Sequence, residues 1–236
     1  MNNGQFLEQF KAIELSLRVE LKLSERDHMS FNEMVYRSRR RVFKSSYHQE
    51  ILENAAQLRN MLSHKHDVAT IHPVFADQFE VVARRILTPL KAEHRMTPYS
   101  HVERLHLTDP LNKAITIMRK HRFQNLPVLL NDRCVGMFNE STLFYALQAT
   151  KELHVDLNTP IQAFEGHLSI EDHPTHLYTF VSRSTTLDAI AEQFSEFLTH
   201  DQKRLELVIV TENGKASETM LGILTPEDLI DIYMQD

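Results

Sequence analysis

The sequence has little of two residue types on which many functional sites depend. It has a single cysteine, Cys134, which excludes a disulfide within the chain and any cysteine-rich zinc site. It has only five glycines in 236 residues, which excludes the glycine-rich phosphate loops of P-loop and Rossmann proteins. The neighbours of Cys134 are typical of a turn, so we expect a small structural residue there rather than an activated thiol.

Long apolar runs are also missing. No stretch approaches the roughly 20 apolar residues that a membrane-spanning helix needs. The first six residues lack the basic region and following apolar core of a secretion signal. We therefore expect a cytoplasmic protein that does not enter a membrane.

Charge is unevenly distributed along the chain. Residues 1–91 carry 14 basic and 11 acidic side chains, whereas residues 92–236 carry 12 basic and 21 acidic ones. Because a broadly acidic surface repels a phosphate backbone, only the first part suits nucleic acid. The acidic part can still hold one small anion in a pocket.

Apolar residues before position 91 recur at intervals of three and four, which predicts four amphipathic helices. The first helix carries Phe6, Phe10, Ile13, Leu17 and Leu21. The second opens at Ser30, the third covers about 47–62, and the fourth begins at Pro73. The fourth helix places these residues at helical steps: Val74, Phe75, Phe79, Val82, Ile86 and Leu90. Short connections between the helices predict an antiparallel bundle.

The third helix ends in the segment 58–64, Leu-Arg-Asn-Met-Leu-Ser-His, which places Arg59 and His64 five residues apart. This segment and the four-helix pattern resemble the HEPN superfamily of helical domains over residues 5–90. In active members the resemblance implies metal-independent RNA cleavage, with the motifs of two subunits combined. His64 would handle the proton of the attacking 2′-hydroxyl, and Arg59 would stabilise the charge on phosphorus.

A structural role explains the same residues without catalysis. Arg59 would then pair with a nearby carboxylate such as Glu53 or Asp67, and His64 would bond the last carbonyls of its helix. We expect no metal site, because no carboxylate or further ligand at helical spacing accompanies the three neighbouring histidines, His64, His66 and His72.

From about residue 92 the pattern changes to strands alternating with helices, and it occurs twice. Both copies have the order strand, helix, strand, turn, strand, helix. The strands are expected at 102–107, 126–130 and 134–138 in the first copy, and at 177–181, 205–210 and 220–224 in the second. The helices that begin at Leu111 and Leu187 have the same apolar spacing. This is an internal repeat, and each copy alone is too small to bury a good core.

Each copy ends where its last strand runs into a helix. In the second copy this segment is 222–228, Gly-Ile-Leu-Thr-Pro-Glu-Asp, which we call the second junction. Thr225 stands at the N-cap, Pro226 at the first helical position and Asp228 at the third, which makes a strong helix start. The same groups could also reach a phosphate and a sugar diol. The first junction, segment 136–142 (Gly-Met-Phe-Asn-Glu-Ser-Thr), is a weaker version of it.

The repeat resembles a pair of CBS domains over nearly all of residues 92–236. The resemblance lies in the two junctions and in the segments 125–128 and 204–208 that precede them. It implies a pair with two clefts, and in many families a cleft holds an adenosine compound. Carried over by residue, it assigns Asp228 to the ribose hydroxyls, Thr225 to ribose or phosphate, and Arg204 to phosphate. Thr186, before the helix of the second copy, is a further candidate.

The first copy departs from the CBS pattern at three positions. Asn139 replaces the usual Thr, Thr142 stands where the Asp would be, and Asn125 occupies the position of Arg204. We therefore expect the first cleft to bind differently or to be empty, with Asn139 acting as a helix cap.

The predicted fold class is α+β and multidomain. It has a HEPN-like antiparallel helical bundle over residues 1–91, followed by a tandem α/β CBS pair, or Bateman module, over 92–155 and 156–236. The leading hypothesis is a cytoplasmic regulatory homodimer that senses an adenine nucleotide such as AMP, ADP or ATP, needs no cofactor, and signals through the helical domain. The alternatives are a nucleotide-gated ribonuclease that binds RNA at Arg59 and His64, and a ligand-free interaction scaffold.

Overall fold

The structure, a computed structural model, describes residues 1–24, 26–38, 45–64, 70–149, 155–171, 173, 176–200 and 203–233. It divides into two compact units, Met1–Leu90 and the chain from Lys91 onward. The first unit is helical, and the second combines helices with two sheets. This agrees with the predicted fold class.

Within the described residues, the first unit contains four helices: α1 (Asn3–Glu20), α2 (Phe31–Arg37), α3 (Ser46–His64) and α4 (Pro73–Leu87). Local side chains fix where they begin. The Asn2 side chain accepts a hydrogen bond from the Gln5 amide at 2.9 Å, and Ser30 accepts one from the Glu33 amide at 3.2 Å. Pro73 opens α4, where a missing N–H leaves no donor unsatisfied.

The apolar stripes of these helices form the core of the first unit. Its buried members include Phe6, Phe10, Ile13 and Leu17 from α1 and Phe79, Val82 and Ile86 from α4. Two residues expected on the stripe of α4 lie at the surface instead, with Val74 58% exposed and Leu90 45% exposed. Val74 belongs to the first turn of α4 and Leu90 follows its last residue, so neither lies over the core.

The second unit repeats the order strand, helix, strand, strand, helix. The first copy consists of β2 (Leu105–His106), α5 (Leu111–His121), β3 (Asn125–Leu130), β4 (Arg133–Asn139) and α6 (Glu140–Ala149), after a short leading strand β1 (Thr97–Pro98). The second consists of β5 (His176–Ser182), α7 (Leu187–His200), β6 (Arg204–Thr211), β7 (Gly222–Leu224) and α8 (Glu227–Tyr233). The strand expected over 102–107 is shorter in the structure, Leu105–His106, and a 3-10 turn, Tyr99–His101, precedes it.

The segment that precedes each copy pairs with the other copy. The Ala92 amide donates to the Thr185 carbonyl at 2.8 Å, and the Ile161 amide donates to the Asp109 carbonyl at 2.9 Å. Ala92 is buried in the core beneath α7, and Ile161 is buried in the core of the first copy. The leading strand β1 also joins the second copy's sheet, whose order is β1-β7-β6-β5, while the other sheet is β2-β3-β4. The two copies therefore exchange their leading segments.

A further apolar cluster joins the two copies. It combines Leu129 and Met137 from the first sheet with Tyr178, Leu207 and Ile209 from the second. Burying apolar side chains of this size contributes about 1.5–3 kcal/mol each. The pair is thus held together by a shared core as well as by exchanged backbone, and the two junctions keep fixed positions within it.

Candidate functional site

The second junction carries a partly buried carboxylate that a neighbouring hydroxyl holds in place. Asp228 Oδ2 accepts hydrogen bonds from the Thr225 amide at 2.7 Å and from Thr225 Oγ1 at 3.0 Å. Within the described residues, no hydrogen bond to Asp228 Oδ1 is formed. Thr225 and Asp228 are both partly exposed. The carboxylate therefore keeps one oxygen open to a hydroxyl donor from outside the protein.

Strand register places Arg204 at the same sheet edge as the second junction. β7 runs antiparallel to β6 with Leu224 opposite Val208, so Thr225 leaves the sheet toward the start of β6. Arg204 is the first residue of β6, and its side chain is 57% exposed. Its Nε lies 4.0 Å from Glu206 Oε1, and so long an ion pair to a largely exposed guanidinium contributes about 0–1 kcal/mol. The guanidinium is therefore free to exchange that partner for a phosphate.

Thr186 lies at the opposite edge of the same sheet. β5 runs parallel to β6, and the last paired residues of the two strands are Ser182 and Thr211. Thr186 follows this far end and caps α7, with its Oγ1 accepting from the Ala189 amide at 3.3 Å. The structure does not bring Thr186 together with the residues of the second junction.

The first junction is closed by its own hydrogen bonds. Asn139 Oδ1 accepts from the Thr142 amide at 3.0 Å and from Ser141 Oγ at 2.7 Å, while Thr142 Oγ1 accepts from the Asn139 amide at 3.2 Å. Asn139 is 3% exposed, and Thr142, at the position of Asp228, is 0% exposed. Asn139 thus caps α6, as its sequence context predicts.

Tyr178 completes the first junction from the other copy, and sequence reasoning missed it. Its hydroxyl donates to Asn125 Oδ1 at 2.7 Å and accepts from Asn139 Nδ2 at 3.1 Å. Asn139 Nδ2 also donates to Asn125 Oδ1 at 3.2 Å. Tyr178 is 6% exposed, and burial raises the pKa of its hydroxyl above the usual value, so it remains a donor. No local signal marks it, because its partners lie on distant strands.

The register of the sheets corrects the alignment of Asn125 with Arg204. Asn125 stands directly opposite Asn139 in the β3–β4 pair. In the second copy Val208 stands opposite Leu224, so the residue opposite Thr225 is Leu207. Because Thr225 is equivalent to Asn139, the residue equivalent to Asn125 is Leu207 and not Arg204. Apolar alternation allows a slip along the strand, and a bulge in the β5–β6 pair adds to the ambiguity.

Arg59 in the helical unit lies near a carboxylate, as the structural interpretation expects, but this carboxylate is Glu14. Its guanidinium lies 3.7 Å from Glu14 Oε2, 3.2 Å from Asn60 Oδ1, and over the Phe10 ring at 5.8 Å from the centroid. Glu53 is not its partner, and Asp67 lies outside the described residues. The side chain of Arg59 is 42% exposed. His64 is the last residue of α3, and its side chain lies outside the described part of the structure.

Other reactive groups fall outside both junctions. Cys134 is buried in the shared core, and burial raises the pKa of its thiol to about 12, so it is not an activated nucleophile. Within the residues that the structure describes, no three His, Cys, Asp or Glu side chains are grouped as a metal site. Nor does that part of the chain contain a helix long and apolar enough to cross a membrane.

The fold and junctions define a class of protein: a paired α/β module in which two copies exchange leading segments and end in equivalent strand–helix junctions. The chain belongs to the CBS domain family, whose sequence model matches residues 94–149 and 170–235, just over half of the chain. A search of curated proteins found no match.

Several solved structures are similar to part of this chain at low identity. A crystal structure of an acetoin utilization protein, AcuB, from Vibrio cholerae is 20% identical, with a TM-score of 0.45, over 62% of this chain and 92% of that one. CBSX2 in complex with AMP is 17% identical, with a TM-score of 0.45, over 62% and 97%. The CBS domain of a bacterial CNNM/CorC family Mg²⁺ transporter in complex with ATP is 18% identical, with a TM-score of 0.43, over 62% and 89%.

Proposed function

We propose that this chain is a cytoplasmic regulatory protein that binds one adenine nucleotide at the second junction and signals through the helical unit. The observation that carries the proposal is Asp228, a partly exposed carboxylate with one oxygen held by Thr225 and the other open. A carboxylate can accept from both hydroxyls of a ribose, and these are charge-assisted hydrogen bonds.

Arg204 supports the same proposal from the other end of the ligand. It lies at the sheet edge toward which the second junction points, in a part of the chain that is acidic overall. A guanidinium matches the geometry of a phosphate, and the loss of its weak pairing with Glu206 costs little. The ligand class is thus a ribonucleotide with at least one phosphate.

Calorimetric titration tests this assignment with ligands that differ by one group. Asp228→Asn should weaken AMP binding by about tenfold or more, because hydrogen bonds to a charged group contribute about 1.5–3 kcal/mol. The same substitution should leave binding of 2′,3′-dideoxy-AMP unchanged, since that ligand lacks both hydroxyls. Glu227→Gln, which removes an exposed charge next to Asp228, is the matched control.

Arg204→Gln should weaken the binding of AMP and ATP but not the binding of adenosine, which has no phosphate for Arg204 to contact. Thr186→Ala should leave all affinities unchanged, because Thr186 lies at the far edge of the sheet. If no member of a panel of AMP, ADP, ATP, cyclic dinucleotides and S-adenosylmethionine binds, the ligand-free scaffold replaces the sensor as the leading function.

The proposal includes a homodimer. Light scattering after size exclusion should give about twice the chain mass of 27.6 kDa, with and without nucleotide. A monomer under both conditions contradicts this part of the proposal without affecting the ligand assignment.

A metal-independent ribonuclease is the second candidate, and the position of Arg59 is the observation in its favour. Its guanidinium is oriented by Glu14 and Phe10 yet remains 42% exposed, so a phosphate can reach it. Single-stranded RNA should then be cleaved in EDTA, at a rate that AMP or ATP alters. No cleavage, or cleavage that survives His64→Ala, rejects this candidate.

A further inference from the structure

Strand pairing gives an alignment of the two copies that does not depend on sequence similarity. In each copy, three residues lie side by side on neighbouring strands and define equivalent positions. They are Leu105, Val128 and Gly136 in the first copy, and Val181, Val210 and Gly222 in the second. The backbone hydrogen bonds from the leading segments agree with this alignment. Their acceptors are the Asp109 carbonyl in the first copy and the Thr185 carbonyl in the second, each four residues after the first aligned residue of its copy. Three residues before that residue stand Val102 in the first copy and Tyr178 in the second.

Tyr178 and Val102 both lie in the apolar cluster that joins the two copies. Tyr178 reaches across to the first junction, where its hydroxyl closes a triangle with Asn125 and Asn139. At the second junction the equivalents of Asn125 and Asn139 are Leu207 and Thr225, by the same register. The residue that corresponds to Tyr178 there is Val102, which is shorter and has no hydroxyl. Among the described residues, the hydroxyl that completes the first junction therefore has no counterpart at the second.

The polar side-chain atoms of the first junction already form hydrogen bonds within the protein. Asn139 Nδ2 donates to Tyr178 at 3.1 Å and to Asn125 at 3.2 Å, and Asn139 Oδ1 accepts from Ser141 and Thr142. Thr142 is 0% exposed, whereas Asp228 at the equivalent position is partly exposed. A nucleotide would have to break this buried network before it could bind, and each buried group left unpaired costs about 1–3 kcal/mol.

We infer that the Tyr178 hydroxyl is a built-in occupant of the first junction, so that each chain holds a single nucleotide, at the second junction only. This rests on the proposed function for the nucleotide count, but the occupation of the first junction by Tyr178 is independent of any ligand. Tyr178 also ties the two copies together through a polar contact with the first sheet that Val102 cannot reproduce with the second.

Titration of the full chain with AMP and with ATP measures the count. We expect one nucleotide per chain, bound about tenfold or more weakly in Asp228→Asn, with the affinity of Tyr178→Phe and Asn139→Ala within about twofold of wild type. Two nucleotides bound per wild-type chain would overturn the inference. A tenfold loss of affinity in Tyr178→Phe or Asn139→Ala would also overturn it. Absence of any binding to the wild type would reject the proposed function instead.

Thermal unfolding tests the occupation itself, whatever the outcome with nucleotides. Tyr178→Phe keeps the ring and removes only the hydroxyl, so it should lower Tm by about 2–4 °C as the buried Asn139 amide and the partly buried Asn125 amide lose a partner. Tyr145→Phe is the matched control, because Tyr145 lies on α6 and its hydroxyl has no hydrogen bond within the described residues. Equal and negligible shifts in the two variants would show that the Tyr178 hydroxyl does not hold the first junction.

Discussion

A carboxylate and a hydroxyl at equivalent positions give the two junctions different chemistry. Asp228 needs only Thr225 to hold it, so part of its charge faces solvent. Thr142 and Asn139 satisfy each other, and their side chains are almost completely buried. Because an ionised carboxylate is expensive to bury without partners, Asp at position 228 requires the open environment that Thr at 142 does not.

Thr225 is a positioning residue for this carboxylate. Thr225→Val removes the Oγ1 donor at 3.0 Å from Asp228 while it keeps the β-branched shape and the backbone donor at 2.7 Å. We expect AMP affinity to fall about threefold to tenfold, since a freed carboxylate must be ordered on binding. Calorimetry measures the change. Thr225→Ser, which keeps the hydroxyl, should retain most of the wild-type affinity. A full loss in both variants would contradict this role.

Sequence reasoning could propose Thr225, Asp228 and Arg204 as candidates because they lie within short segments or at the start of a strand. It could not identify Tyr178, whose partners Asn125 and Asn139 lie 53 and 39 residues away. The alignment of Asn125 with Arg204 as equivalent positions was wrong for a related reason. Alternating apolar residues do not fix a strand's register, and hydrogen bonds to neighbouring strands do.

At the scale of elements, the two glycines that open the junctions permit the exchange of leading segments. A Cβ on Gly136 would lie 2.7 Å from Leu168 Cβ and 2.8 Å from its carbonyl oxygen. A Cβ on Gly222 would collide with the Thr97 carbonyl oxygen on β1. Both neighbours belong to segments that cross from the other copy, and backbone cannot retreat as a flexible side chain can.

Gly136→Ala and Gly222→Ala should therefore each destabilise the second unit by about 1–3 kcal/mol, the usual cost of overpacking. Urea unfolding followed by circular dichroism measures the loss. Gly166→Ala is the control, because a Cβ at that position meets no atom within 4 Å. Its free energy of unfolding should stay within about 0.5 kcal/mol of wild type. Equal stability of all three variants would mean that the leading segments are not packed as described.

The loop between β6 and β7 is an element held by one acidic side chain. Glu218 accepts from the Asn213 amide at 2.7 Å and from Asn213 Nδ2 at 2.8 Å, and these bonds lower the pKa of Glu218 from 4.5 to about 2. A lowered pKa means that the contribution to stability is present above pH 4.5 and is lost as the pH falls from there toward 2. The Asn213 amide resonance should therefore keep its neutral-pH position at pH 3.

Glu218→Gln provides the control for this loop, because an amide cannot titrate. The pH dependence of the Asn213 resonance below neutral pH should vanish in that variant. A midpoint near the ordinary value of 4.5 in the wild-type protein would mean that the two bonds from Asn213 do not hold the loop in solution.

Most individual elements could be predicted from the sequence, because helical stripes and caps are local. The exchange of leading segments could not, since the Ala92 and Thr185 groups that bond are far apart in the chain. Val74 and Leu90 show the limit within an element: both keep the helical spacing of α4, and only their place relative to its ends leaves them exposed.

At the scale of the whole molecule, two units of opposite charge balance share one chain. The helical unit has its own apolar core, and the CBS pair has separate ones. Binding at the second junction can regulate the helical unit only if nucleotide favours one state of that unit over another. The sensor hypothesis thus requires a measurable coupling between the units.

Hydrogen exchange on the full chain measures this coupling directly. At a nucleotide concentration about 100 times Kd, binding stabilises the competent state by about 2.7 kcal/mol, and some of that free energy must reach the helices if they receive the signal. We expect AMP or ATP to change amide protection in α1, α3 or α4 by fivefold or more. The comparison with Asp228→Asn is made at a lower concentration, about equal to the wild-type Kd, where a variant that binds at least tenfold more weakly is less than about 10% occupied and should show little change. Protection that changes only from Lys91 onward would mean that the CBS pair binds nucleotide without signalling through the helical unit.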